Sequence, residues 1–169
     1  MSIEVESGQN CDGGGNVGEG NLELSSPSIP ILSFHTGDSV HTIWKEVQPF
    51  VAKAADWGRG EYLAEDVLVL AAQEKMQIWV FRVEGVITLV CVTQLIQQPR
   101  RKICNIYALA GRNMAQMWKL FFPRVQPWLW LNGVDEVQTT CRQEIADKIQ
   151  QFGFEPLVQV LRFNLKGLS

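Results

Sequence analysis

Beyond residue 28, apolar positions recur with two alternating periods. Ile29, Pro30, Ile31, Leu32, Ser33 and Phe34 form a short strand-like run, closed by a turn from His35 to Asp38. Asp38 or Ser39 is placed to cap a helix in which Ile43, Trp44, Val47, Phe50, Val51 and Ala54 keep helical spacing through Ala55. Pro49 is expected to disturb its middle, because proline removes a helical hydrogen bond. A second helix is predicted from Glu61 to about Lys75. The run Gln77 to Val83 then changes to β-branched and aromatic residues, the chemistry of a strand. Glu84-Gly85 fits a two-residue hairpin turn. Val86 to Ile96 is almost wholly apolar and so predicts a strand buried on both faces. Pro99 and the cationic run Arg100, Arg101 and Lys102 mark another turn, followed by a strand from about Ile103 to Leu109.

The strand pattern stops at Ala110-Gly111-Arg112-Asn113, and Met114, Met117, Trp118, Phe121, Val125 and Trp128 continue at helical spacing to about Leu131. Pro123 and Pro127 are expected to kink or split that helix, and Asn132-Gly133 to end it. Glu136 to Arg142 reads as a strand, Gln143 to Phe152 as a short helix stopped by Gly153, and Leu157 to Leu165 as a closing strand. The order is strand, two helices, three antiparallel strands, helix, strand, helix, strand. It predicts an α/β fold of the α+β type, a mixed, mainly antiparallel central sheet flanked by helices, over residues 29–169.

Residues 1–28 break this pattern. They hold six glycines, including Gly13-Gly14-Gly15, no aromatic residue and few large side chains. Such a segment cannot bury enough surface to offset the entropy of ordering, so it is expected to be an extended arm, flexible or ordered by a partner. The arm also carries the acidity. Glu4, Glu6, Asp12, Glu19 and Glu23 precede the first basic residue, Lys45, and leave the remainder slightly positive within a net charge of -3. No clustered basic face appears, which argues against a nucleic-acid binder. Composition, 46% hydrophobic and 20% charged, is that of a chain with a true core. No apolar run spans a bilayer and the start lacks the features of a signal peptide, so the chain is expected to be unexported.

Cys11, Cys91, Cys104 and Cys141 form no C-x-x-C pair, and three of them sit in apolar or strand-like runs. Reduced structural thiols are expected, not disulfides or a metal site. His35 and His41 have too few companions to make metal ligands. Six tryptophans are many for one domain, and Trp128-Leu129-Trp130-Leu131 cannot all face one core from a single helical turn. Either an exposed aromatic contact surface or a bulky local core follows.

The order of elements, and the ending Gln143 through Phe154 (QEIADKIQQFGF) in which a helix stops at Gly-Phe, resemble the GNAT family of N-acetyltransferases over about residues 29 to 166. The chain is also similar to divergent GNAT-like proteins of tailed bacteriophages, among them an internal virion protein. Gln77-Ile78-Trp79-Val80, Thr93, Pro99, Ala110-Gly111-Arg112, Trp118, Gly133, Arg142 and Gly153-Phe154 carry that likeness. The first resemblance implies an acetyl-CoA site at Gly111, Arg112, Asn113 and Met114. The second implies a virion or host-cytoplasm setting, with virion or assembly proteins as partners through residues 1–28 and the Trp128/Trp130 region.

The chemistry expected of the family is thin here. Active members cradle pyrophosphate in a Q/R-x-x-G-x-G/A loop, whereas Leu109 to Ala115 holds one glycine. Arg112 is either a phosphate donor or a solvent-facing arginine at a helix start. Acetyl transfer needs a base for the amine and an acid for the thiolate, yet no Asp or Glu occurs between Gly85 and Val134. Ile149 stands where active relatives often carry a tyrosine acid. Tyr107 and Cys104 remain as strand residues near the expected cleft, with a place in the core as their alternative. The sequence therefore supports two readings: a non-catalytic GNAT-fold protein that binds other proteins, or an acetyl-CoA-dependent N-acetyltransferase of unknown acceptor.

Overall fold

The computed structural model describes residues 29–57, 61–141 and 143–157. Five strands and four helices follow in the order β1 (Ile31–His35), α1 (Ser39–Trp57), α2 (Ala64–Ala72), β2 (Gln77–Val83), β3 (Val86–Gln97), β4 (Lys102–Gly111), α3 (Met114–Leu131), β5 (Glu136–Thr139) and α4 (Gln143–Ile149). A turn of 3-10 helix, Gln150–Phe152, extends α4. The sheet order is β1-β2-β3-β4-β5. β1 to β4 pair antiparallel, and β5 joins β4 in parallel. This is the expected mixed, mainly antiparallel sheet.

Alternation along the strands builds two cores. Ile78 and Val80 of β2 join Val90 and Val92 of β3 against Val40, Val47, Val51 and Val67 of α1 and α2. Trp79 and Phe81 point the other way, with Leu89, Cys91, Cys104 and Ile106, onto Trp118, Phe121, Val125 and Leu129 of α3. Helices on both faces explain why β2 and β3 read as near-continuous apolar runs. Inside the second core, the Trp79 indole N–H donates to Thr93 Oγ1 at 2.9 Å and that hydroxyl donates to Gln77 Oε1 at 3.1 Å. The chain thereby satisfies polar groups that burial would otherwise penalise.

The turns follow the residues. Glu84 and Gly85 have φ of 53° and 74°, as a two-residue hairpin with both central residues left-handed requires. Gly153 closes the 3-10 turn at φ 87°, the left-handed conformation expected of it. Phe152 and Phe154 on either side of it both pack on Trp118, with ring centroids 6.3 Å and 5.8 Å away.

Several expectations are corrected. β1 begins two residues late, since Pro30 has no N–H to give a ladder. α2 is shorter than Glu61 to Lys75: Asp66 Oδ2 accepts the Leu63 N–H at its start, and Glu74, at φ 61°, turns the chain at its end. Neither α1 nor α3 is split at its prolines. β5 stops at Thr139, short of the expected run, whose last residue, Arg142, lies outside the described residues. Cys91 and Cys104 are buried free thiols, but Cys141 is exposed, so it is no core residue. Cys11 and the expected arm, residues 1–28, lie outside the described residues, as does the strand expected from Leu157 to Leu165 beyond its first residue. No described helix is long and apolar enough to cross a membrane.

Candidate functional site

β4 makes the site by carrying one residue too many. Val92 pairs with Ala108 and Thr93 with Ile106, which leaves Tyr107 as a bulge between them. A bulge bends its strand and re-aims a side chain. Here the bend coincides with the end of pairing to β5, which runs only from Ile103↔Glu136 to Ile106↔Thr139. The Thr139 hydroxyl donates to the Ile106 carbonyl at 3.2 Å and closes that contact. Beyond it, residues 107–111 continue along β3 alone, and their outer edge has no strand partner among the described residues.

Gly111 ends β4, opposite Leu89. A Cβ built there would sit 2.4 Å from the Thr88 carbonyl oxygen and 3.0 Å from Leu89 Cα, so it is close approach to β3 that excludes a side chain. The next amide, Arg112 N–H, donates to the same Thr88 oxygen at 2.9 Å. Asn113 is left-handed at φ 48°, ψ 48°, and its carbonyl accepts the first helical bond, from Met117 N–H. Met114 leans on the α3-side core. The Arg112 side chain is exposed, with no hydrogen bond or ion pair among the described residues.

These facts test the coenzyme site that the resemblance implies. A pyrophosphate cradle needs successive N–H groups turned toward the ligand and glycines that let it approach. Here the one glycine faces β3 and the next N–H is already bonded to β3. Gly111 and Arg112 therefore do not fit the cradle. What is left is the first turn of α3, Asn113, Met114 and an arginine side chain.

The two catalytic candidates lie on opposite faces of β4. Cys104 points into the α3-side core, where burial pushes its thiol up to about 11 against the opposing effect of a hydrogen bond with Thr93. It is a packing residue. Tyr107 points to the α2 side, and its ring meets Tyr62 with centroids 4.7 Å apart and planes at 48°. The pair lines an open recess of about 370 Å³ with Glu61, Asp66, Val69 and Leu70. Burial first, then the neighbouring negative charges of Asp66 and Glu61, raise the Tyr107 phenol above its ordinary value. Burial, Tyr107 and Glu61 push Tyr62 up to about 12. Both phenols thus stay protonated at neutral pH. The central strands lack carboxylates, but the fold brings two to Tyr107 from the segment before α2 and from its first turn. Only the fold, which sets Tyr62 and the start of α2 beside Tyr107, reveals this; the run Glu61-Tyr62-Leu63-Ala64-Glu65-Asp66 was its one signal in the sequence.

Ile149 is the last residue of α4. His35 Nε2 lies 3.0 Å from Ser33 Oγ, and no cluster of metal-binding side chains occurs among the described residues. Trp128 and Trp130 part company. Trp128 docks on Phe34 and Trp79, at 5.5 Å and 5.0 Å between centroids, whereas Trp130 and Leu131 are 70% and 87% exposed.

No family model matches the chain, and no curated protein matches it in sequence. Solved structures do match it in shape. An aminoglycoside acetyltransferase from an uncultured soil metagenomic sample, in complex with sisomicin, superposes with a TM-score of 0.58 at 15% identity, covering 80% of this chain and 96% of that one. A ribosomal-protein-alanine N-acetyltransferase from Brucella melitensis biovar Abortus 2308 gives 0.60 at 10% identity, covering 80% and 100%. A predicted acetyltransferase with acetyl-CoA from Clostridium acetobutylicum gives 0.59 at 10%, covering 81% and 98%. At such identities the likeness is one of fold: this chain has the GNAT fold.

Proposed function

We propose that the chain is a GNAT-fold binding protein without acetyl-transfer chemistry, serving as a structural or internal component of a tailed-phage particle. The observation that carries the non-catalytic half is the loop after β4, where Gly111 and the Arg112 N–H serve β3 and leave no glycine cradle. The buried Cys104 and the aliphatic Ile149 agree with it. Its phage half rests on the sequence resemblance stated above. Partners are other virion or assembly proteins, met through residues 1–28 and, on the folded domain, through the exposed Trp130 and Leu131 beside the docked Trp128. Fold alone does not decide between binding and catalysis.

A second reading, an acetyl-CoA-dependent N-acetyltransferase of unknown acceptor, is favoured by the bulge at Tyr107 and the open edge of β4 beside it. In that reading the protonated Tyr107 phenol gives a proton and the Glu61 carboxylate takes one.

Calorimetric titration with acetyl-CoA and with coenzyme A, together with a thiol-release assay over a panel of amines, separates the two. The binding-protein reading expects no saturable binding at micromolar concentration and no turnover above background. Turnover of about one per second, an ordinary enzymatic rate, lost in Tyr107→Phe or Arg112→Ala, overturns it. Mass spectrometry of purified phage particles tests the setting: the chain present at a fixed copy number supports a virion role, and its absence from particles refutes one.

A further inference from the structure

β1 forms one edge of the sheet, and among the described residues no strand lies on its outer side. Sheet edges of soluble proteins are ordinarily guarded by charge, by a bulge or by a covering segment, because their free N–H and C=O groups pair with any strand offered. Among the described residues β1 has none of these guards. Residues 29–35, Ile-Pro-Ile-Leu-Ser-Phe-His, include no Asp, Glu, Lys or Arg. The register on β2 runs unbroken from Ile31↔Arg82 to His35↔Ile78. Pro30 removes one donor, but it precedes the strand. The side chains are apolar and open as well: Ile29, Ile31 and Phe34 are 81%, 60% and 39% exposed.

We propose that β1 is a self-pairing edge, on which a second copy of this chain adds its own β1 antiparallel about a two-fold axis at Ser33. The pattern of the strand selects that partner. An axis at Ser33 is the one position that pairs all of Ile31–His35. It sets Ser33 opposite Ser33 of the second copy, Leu32 opposite Phe34 and Ile31 opposite His35, each unlike pair occurring twice. Leu32 and Phe34 lie on the α3 side, where Leu32 joins the core and Phe34 rests on Trp79 and Trp128. The two aliphatic-aromatic pairs therefore land on side chains already held in place, and the small serines at the axis let the backbones approach. The contact joins two five-stranded sheets into one continuous sheet. The strand and its three exposed apolar side chains bury roughly 400–500 Å² in each copy, the low end for a specific interface, which sets a dimer that forms at micromolar concentration. The pairing needs neither coenzyme nor any other protein, so it stands or falls separately from the function proposed above.

Sedimentation velocity of the full chain, over a concentration series reaching the high micromolar range, tests it. The expected result is a concentration-dependent equilibrium between monomer and dimer. Ile31→Lys, which gives an exposed position a usual edge guard, is expected to weaken the dimer about tenfold or more and to keep the far-UV spectrum. Cross-linking reads the register in a Cys11→Ser, Cys141→Ser background, which leaves only the buried Cys91 and Cys104. Ser33→Cys sets two thiols opposite each other at the axis, with Cα atoms about 4.5–5.5 Å apart, inside the range of a disulfide. Diamide, which takes up the two protons and two electrons of the thiol pair, is expected to convert that variant to a covalent dimer. Ile31→Cys, at the more exposed position, sits about 13 Å from its counterpart and is expected to stay uncoupled. A monomer at every concentration, a dimer unchanged by Ile31→Lys, or equal coupling at positions 31 and 33 overturns the proposal. A dimer that appears only when residues 1–26 are deleted overturns it also, because the edge then belongs to the arm of the same chain.

Discussion

The Cβ of an alanine at position 111 would meet the Thr88 carbonyl oxygen at 2.4 Å, and neither that oxygen nor Leu89 Cα can move without moving β3. Overpacking of this kind typically costs about 1–3 kcal/mol. Gly111→Ala is therefore expected to lower the melting temperature by several degrees with no coenzyme in solution, a result that a purely phosphate-facing glycine would not give. The glycine was plain in the sequence, but its reason was not, because a lone glycine between strand and helix looks the same whether ligand or backbone approaches it. Tyr62 presents the same difficulty with charge. Its neighbours Glu61 and Asp66 are visible in the sequence, whereas Tyr107, 45 positions on, is brought to it only by the fold. A pH measurement reads the consequence. The phenol is pushed from 10.0 to about 12 in the folded chain, by burial, Tyr107 and Glu61 in that order. Between those values the folded chain keeps a proton that the unfolded chain releases, so stability is full below about pH 10 and falls as pH rises toward 12. The ring is only half-buried, which keeps the effect small. Comparing melting temperatures of the parent chain and Tyr62→Phe at about pH 9 and pH 11 is expected to show a shallower fall in the variant.

At the scale of elements, the prolines show what a sequence pattern leaves out. Pro49 was expected to disturb the middle of α1, and Pro123 and Pro127 to kink or split α3, yet all three are exposed on continuous helices. The carbonyls deprived of a partner belong to Lys45, Lys119 and Pro123, which also face solvent, so water can take the place of the lost bond. Spacing four apart puts Pro123 and Pro127 on one face, and that face was legible; that it was the outer one depended on where α3 docks. The bulge at Tyr107 was not legible at all, because Ile103 to Leu109 reads as one uninterrupted strand. What breaks its register is a partner strand whose Val92 and Thr93 pair two residues apart on β4. The helix ending was legible in full, since a glycine after Gln150–Phe152 has one common use. Gly153 sits at φ 87° with open space around its missing Cβ, so strain there is conformational, not steric. Gly153→Val is expected to cost on the order of 1 kcal/mol in chemical denaturation, while Gly133→Ala, at φ 64° after α3, tests the same effect at a second helix end.

For the molecule as a whole, two cores on either side of one sheet account for how 10–15% identity still gives the GNAT fold. The fold is specified by which positions are apolar and in what order the periods alternate, and those constraints are met by many sequences. The same reasoning divides the chain. Among the described residues, both cores are built from positions at or beyond Leu32. Residues 1–28 have six glycines, five carboxylates and no aromatic side chain, and their few aliphatic residues are scattered without strand or helix periodicity. Deleting residues 1–26 is therefore expected to leave the melting temperature of the isolated protein nearly unchanged, with Pro27 to Ile29 kept as a lead into β1. Under the proposed function the same deletion is expected to abolish incorporation into particles, because the arm is then a contact element and no part of the fold. A fall of several degrees would assign the arm to the folded domain, and normal incorporation of the shortened chain would leave the exposed Trp130 and Leu131 as the surface that partners hold.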